Sequence, residues 1–177
     1  MRNPDNVLNQ EGAGKKRLFL SPDWVDQAVK TVQLARVTDK QFRGLVRGLT
    51  LDLVYLIWDI PPSLRSFYSA DRLTIFVELE RGKLRNIWSG TEAPSKEADF
   101  TVGSDYETFK RIYVGQINAA TAFVNRDIKV EPMSRIYRNP AFSARSISTG
   151  NHMLRILQQV PTAFERPVLL TNRKEWF

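Results

Sequence analysis

ADFTVGSDYETFKRIYVGQINAATAFVNRDIKVEP, residues 98–132, is the stretch that decides the fold. It reads as strand, capped helix, second short helix, strand. Ser104 and Glu107 are three apart and precede an apolar run, the spacing of a capping box with Ser104 as N-cap. Asp105 and Glu107 put negative charge in the first turn, where the helix dipole favours it. Tyr106, Phe109, Ile112 and Tyr113 recur at three and four residues and make one apolar face. Gly115 offers the left-handed position that ends a helix. Asn118 caps a second short helix carrying Ala119, Ala122 and Phe123, and the strand 128–130 is stopped by Pro132.

Upstream, Ser21-Pro22 opens a helix that runs to about Val37, with Ser as cap and Pro in the first turn. Trp24, Ala28, Val32 and Ala35 form its stripe. Residues 39–48 read as a short helix or turn, weakened by Gly44 and Gly48. Residues 49–58 alternate as a strand: Leu49, Leu51, Leu53, Tyr55 and Ile57 face one way, Thr50, Asp52, Val54, Leu56 and Trp58 the other. Pro61-Pro62 ends it. Residues 73–80 alternate again, with Leu73, Ile75, Val77 and Leu79 inward and Thr74, Glu78 and Glu80 outward. Arg81-Gly82 is a tight turn, and residues 83–89 return as the hairpin partner. Residues 91–97 read as a loop.

Beyond Pro132, residues 133–137 either extend the strand or begin a helix, and Asn139-Pro140 interrupts them. The last helix reads as 151–160, with Met153, Leu154, Ile156 and Leu157 apolar and Pro161 closing it. Val54, Leu56, Trp58 and Phe76 would leave an apolar patch on the outer sheet face. The lead-in, the tail after Pro161 or a second copy of the chain, as in a homodimer, is expected to cover it.

In element order and loose pattern the chain resembles the sterol carrier protein 2 family. The segment 98–132 matches the C-terminal half of such domains, and LTLDLVYLI (49–57) with DRLTIFVELERGKLRNIWSG (71–90) fits their first three strands. The resemblance covers roughly residues 20–160. It implies an α+β domain: a mixed sheet of about five strands covered on one face by helices. Residues 1–19 are then a solvated lead-in and 161–177 a tail that packs on the domain or on a neighbour. Pro132 departs from the pattern and implies a shorter or displaced final strand.

Composition agrees with a globular domain: 177 residues, 42% hydrophobic and 11% aromatic. No cysteine is present, which removes disulfides, thiol catalysis and cysteine-ligated metals. No apolar run approaches the ~20 residues of a membrane span. Residues 1–17 lack the apolar core of a signal peptide, and NRKEWF is no peroxisomal address, so a cytoplasmic location is expected. The net charge of +7 is spread over both halves. Its densest bias, Arg135, Arg138, Arg145 and Arg155 without an acid among them, reads either as solvated surface or as a patch for anionic membrane headgroups. A basic nucleic-acid binder is a third reading, for which no GxxG or aromatic RNP run speaks.

Chemistry is sparsely represented. His152 is the one histidine, so no multi-histidine metal site can form, and no GxSxG elbow presents a serine to it. It reads as a cap neighbour or surface residue. Phosphate-cradling GxxxxGK[ST] and GxGxxG loops are missing. Asp52, Asp59, Glu78 and Glu80 read as solvated charge. No cofactor is implied and no catalytic residue is expected.

What the resemblance implies is a non-enzymatic carrier of a fatty acid, acyl thioester, isoprenoid or sterol-like lipid, held between sheet and helices. Strand alternation assigns Leu53, Tyr55, Ile57, Ile75 and Val77 to the lining. Periodicity with the resemblance adds Phe109, Ile112, Phe123, Met133, Met153 and Leu157. A scaffold or accessory subunit with a filled cavity, such as an assistant in quinone biosynthesis, is the alternative.

Overall fold

The computed structural model describes residues 16–92, 94 and 96–164. Its framework is a five-stranded mixed sheet in the order β4-β3-β2-β5-β6, so the fold is α+β. Strands β2 (Leu51–Trp58), β3 (Arg72–Glu80) and β4 (Lys83–Gly90) form an antiparallel meander. Strand β5 (Phe100–Asp105) joins β2 in parallel, and β6 (Lys129–Glu131) is antiparallel to β5. The last strand is three residues long and stops at a cis Glu131–Pro132 peptide. A separate parallel pair, β1 (Arg17–Leu18) with β7 (Thr162–Ala163), ties the two ends together. Both strands fall outside the expected domain bounds of 20–160; residues 1–15 and 165–177 lie outside the described residues.

Helix α1 (Pro22–Thr38) begins as its sequence dictates, with Ser21 Oγ accepting from the Trp24 amide and Pro22 in the first turn. It buries Trp24, Val25, Ala28 and Val32. Helix α2 (Lys40–Val46) is capped by Asp39, which accepts from the Phe42 amide at 2.9 Å. Pro61-Pro62 ends the strand as expected, and it also opens helix α3 (Pro62–Tyr68), which the sequence reading lacks, with Pro62 in the first turn. Leu64 and Tyr68, four apart, are its buried pair.

The segment 98–132 folds in the expected order, with one shift in register. Asp105, not Ser104, is the N-cap of α4 (Tyr106–Tyr113): its Oδ1 accepts from the Thr108 amide at 2.8 Å. Ser104 lies within β5 instead, fully buried, and donates to the Asp127 carbonyl at 2.8 Å. The carboxylate outcompetes the hydroxyl as a cap, because Asp105 also accepts from Thr108 Oγ1. Gly115 takes φ +77° after α4, and Asn118 caps α5 (Ala119–Val124).

Residues 133–138 form a helix, α6 (Met133–Arg138). Asn139-Pro140 ends α6 as expected, but it also starts the final helix α7 (Pro140–Leu157), which is far longer than the expected 151–160. Asn139 Oδ1 accepts from the Phe142 amide. The first half is hidden in the sequence because its buried face is Ser143, Ser146 and Thr149 rather than apolar. Ser143 and Ser146 donate back to the carbonyls of Asn139 and Phe142, which lets hydroxyls occupy a packed helix face.

His152 is accordingly mid-helix and buried, not a surface cap neighbour. Its Nε2 meets Asp39 Oδ2 at 2.6 Å and its ring stacks on Phe42 at 5.7 Å and 10°. The pair pins α7 to the start of α2. His152, then the Phe42 amide, hold the Asp39 carboxyl below its ordinary value. A depressed folded value means that this contribution is present above the unfolded carboxyl value of about 3.9 and is lost as pH falls through the folded one. Acid unfolding followed by circular dichroism should therefore be shallower in Asp39→Asn, which keeps the cap, than in the parent chain. Equal acid limbs would contradict the assignment.

The outer sheet face corrects one expectation. Asp52 is buried, not solvated, and stands directly opposite Glu78 in the β2–β3 register. Like charges so placed repel; Lys96 lies between them, 2.6 Å from Asp52 and 3.1 Å from Glu78. Val54 and Phe76 are buried too. Among the described residues part of their cover is local, and most of the lead-in and of the tail lies outside the described residues. Trp88 packs beside Phe76 and over Gly90, and Trp58 lies over Gly103, where a Cβ would come within 3.1 Å of the indole. Thr91, Pro94 and Lys96 border the open groove above Phe76. Leu56 and Trp58 remain 38% exposed.

Candidate functional site

The inner sheet face and the helices make two separate buried clusters. One gathers Phe19, Trp24, Ile57, Leu64, Tyr106 and Tyr113. The other gathers Val32, Phe42, Leu51, Val77, Phe100, Met153 and Ile156. Ile75, Ile87 and Leu157 touch both clusters yet are only partly buried. The packing fails to close at that seam, leaving a cavity of about 130 Å³.

Three walls line it. The sheet contributes Tyr55, Ile57, Ile75, Val77 and Ile87; α1 contributes Trp24, Val25, Ala28 and Val32; α7 contributes Gly150, Met153, Leu154 and Leu157. Leu20 and Phe109 complete the lining. Gly150 matters to the shape. A Cβ built there meets nothing within 4 Å, so the hollow reaches the helix backbone. The lining is almost wholly hydrocarbon. Trp24 commits its indole N–H to Thr162 Oγ1 at 2.8 Å.

Of the residues read from sequence, Tyr55, Ile57, Ile75, Val77, Phe109, Met153 and Leu157 border this cavity. Leu53, Ile112, Phe123 and Met133 do not. Leu53 is buried in the second cluster and Ile112 in a third small one with Ala122 and Ile128. Phe123 and Met133 are more than a third exposed, because α5 and α6 sit at the sheet's β5–β6 end rather than over its centre. Sequence reading missed the contribution of Leu20, Val25, Ile87, Gly150 and Leu154. For α1 the signal was present in its apolar stripe; for Gly150 it was lost with the first half of α7.

The arginines do not form one free patch. Arg135 pairs with Asp99 at 2.6 Å. Arg145 donates Nε to the Leu45 carbonyl at 2.8 Å and a terminal nitrogen to the Arg47 carbonyl, closing the end of α2. Arg138 and Arg155 are exposed.

Chemistry of other kinds finds little material. Among the described residues no group of His, Asp and Glu could hold a metal ion, and no helix is long and apolar enough to cross a membrane. His152 is committed to Asp39 rather than to a hydroxyl that it could activate.

Comparisons with known proteins agree with this architecture. Residues 67–131 match the model of the SCP-2 sterol transfer family. Solved structures with the same fold include a conserved hypothetical protein and suggested sterol carrier protein from Thermus thermophilus, 13% identical over 85% of this chain and 96% of that one, with a TM-score of 0.60. A sterol carrier protein 2 aligns at 14% identity over 79% of this chain and 97% of its own, TM-score 0.59. The sterol carrier protein domain 2 of Helicoverpa armigera aligns at 15% identity over 80% and 94%, TM-score 0.50. No curated protein sequence matches the chain.

Proposed function

Starting from a chain with the SCP2 fold and the family's pattern over residues 67–131, we infer that this protein binds a predominantly apolar molecule and carries or presents it without transforming it. One observation carries the reading: the hollow lies between the sheet and helices α1 and α7, and hydrocarbon lines it. Burying apolar ligand surface there gains about 25 cal/mol per Å², and a preformed hollow limits the reorganisation that binding requires. The commitment of His152 to Asp39 supports carriage over catalysis.

The size of the hollow sets a condition. About 130 Å³ is close to an engineered cavity of ~150 Å³ that holds benzene, and below the ~300 Å³ of ordinary ligand sites. An acyl, isoprenoid or sterol-like molecule therefore needs the walls to spread. Met153 and Leu157 are suited to this: the first is unbranched and adaptable, the second only partly buried. The same number favours a second reading, an accessory subunit whose side chains largely fill the space.

Native mass spectrometry of protein purified without detergent separates the two. A carrier retains a lipid adduct that organic extraction removes. A spectrum of bare protein, together with no uptake of added lipid, would leave only the scaffold reading. The exposed Arg138 and Arg155 remain as the cationic part of a proposed headgroup contact, with Arg135 and Arg145 committed elsewhere.

A further inference from the structure

The cavity wall is apolar except at one point, and that point lacks a partner. Tyr55 stands on the inner face of β2, and Phe109 of α4 meets its ring edge-on at 5.9 Å and 83°. Protein surrounds the phenol closely enough that desolvation alone pushes its pKa up. Yet the side chain keeps part of its surface open. The two facts agree if that open surface is the wall of the hollow, which Tyr55 borders. Among the described residues no donor or acceptor reaches its hydroxyl, and burial is the whole cause of its shift. Tyr68 and Tyr113 differ: Tyr68 donates to the Leu20 carbonyl and Tyr113 to the Leu157 carbonyl, each at 2.8 Å. A hydroxyl beside a hydrocarbon-lined hollow, with no protein partner, offers a hydrogen bond that a ligand can take up.

We propose that the Tyr55 hydroxyl is the polar anchor of the ligand, donating a hydrogen bond to a neutral oxygen such as the carbonyl of a ketone or ester or the hydroxyl of an alcohol. The proposal rests on the reading that the cavity takes a ligand at all. It narrows the class of ligand because no cationic side chain lines the space. An ionised carboxylate drawn in beside Tyr55 would be buried without a counter-charge, far costlier than burying a carbonyl that receives a hydrogen bond. Burial also keeps the phenol protonated, and so a donor, across neutral pH. The site therefore selects a neutral, singly oxygenated apolar molecule over a free acid headgroup.

Titration, infrared and thermal measurements test this, using probes small enough for the hollow. Cyclohexanone, cyclohexane and cyclohexanecarboxylate are titrated into the full chain and into Tyr55→Phe at pH 7, with amide NMR shifts as the readout. One hydrogen bond in a dry site corresponds to about fivefold to tenfold in affinity. Tyr55→Phe should weaken cyclohexanone by that factor and leave cyclohexane within about twofold. Cyclohexanecarboxylate should perturb no cavity residue in either chain. The infrared carbonyl band of bound cyclohexanone should sit lower in frequency in the parent chain than in Tyr55→Phe. The Tm of ligand-free Tyr55→Phe should not fall, since its hydroxyl holds nothing in place. Equal losses for ketone and alkane, or no change for either, overturn the anchor while leaving the cavity intact. Carboxylate binding tighter than ketone also overturns it. Failure of every probe to bind overturns the anchor and the ligand reading together.

Discussion

Gly150→Leu should make the protein more stable and worse at its task. Gly150 lies within α7, where glycine is about 1 kcal/mol less favourable than alanine. A Cβ there meets open space, and that space is the cavity. Leucine removes the backbone penalty and places a branched side chain against Ala28, Ile75 and Met153, where burying it is worth about 1.5–3 kcal/mol. The expected result is a rise of about 2 kcal/mol in unfolding free energy, read as a higher denaturant midpoint at unchanged slope. Lipid retention in native mass spectrometry should fall at least about tenfold, since a ligand and the new side chain compete for one volume. Gly150→Ala should show the stability gain with a small binding loss. Stabilisation without loss of binding would mean that the ligand sits elsewhere. Destabilisation by leucine would mean that the walls do not accept the volume. Either outcome breaks the link between this hollow and function. A glycine kept here at the expense of stability fits the usual conflict between a site and its fold.

Gly82→Ala should be among the most damaging small substitutions in the chain. Gly82 closes the β3–β4 turn at φ +80°, beside Arg81 at φ +49°. A Cβ on it would stand 2.4 Å from the Val46 carbonyl oxygen and 3.1 Å from its carbon. Both contacts are backbone and cannot swing aside. The Gly82 amide also donates to the Leu49 carbonyl at 2.7 Å, and the Arg81 amide to Thr50 Oγ1. The hairpin tip is thus seated in the corner between α2 and β2. The left-handed conformation alone costs an alanine about 1 kcal/mol; separating the two backbones should bring the total to roughly 3 kcal/mol. Gly48→Ala is the control, because Gly48 has φ +70° with nothing near its Cβ position. It should lose only the conformational part. Equal losses for the two variants would show that the close approach at Gly82 is relieved without cost.

Much of the framework was legible in the sequence, for identifiable reasons. Alternation in residues 51–58 and 73–80 marks which residues share the inner face, and Arg81-Gly82 places the hairpin turn. Ser21-Pro22 and Asn118 are local caps that act without the rest of the chain. What failed to show was set by tertiary neighbours. Asp52 sits on a polar-looking strand position, but the distant Lys96 makes it a buried ion-paired residue. Ser143, Ser146 and Thr149 look like loop residues and become the packed face of α7 because their hydroxyls turn back on the helix or are enclosed by it. His152 gives no sign in sequence of Asp39, more than a hundred residues away.

The site was half legible for the same reason. Strand positions on the inner face could be assigned by parity, and four of the five so read reach the hollow. Helical positions needed to know which helix crosses the centre of the sheet. Phe123 and Met133 have the right chemistry on helices that sit to one side. No pattern of residues announces an unfilled volume. It arises where two well-packed clusters meet at Ile75, Ile87 and Leu157 without fusing.

The short parallel pair that joins residues 17–18 to 162–163 has a topological consequence. Entry to and exit from the fold occur at one corner, beside Trp24 and Tyr113, whose polar atoms both reach Thr162. A few added residues could splice residue 163 to residue 17 into a ring, and a fresh break could be opened at an exposed turn with the same interior preserved. A module joined directly at residue 17 or 163 would be held at that corner, close to Trp24 in the wall of the hollow.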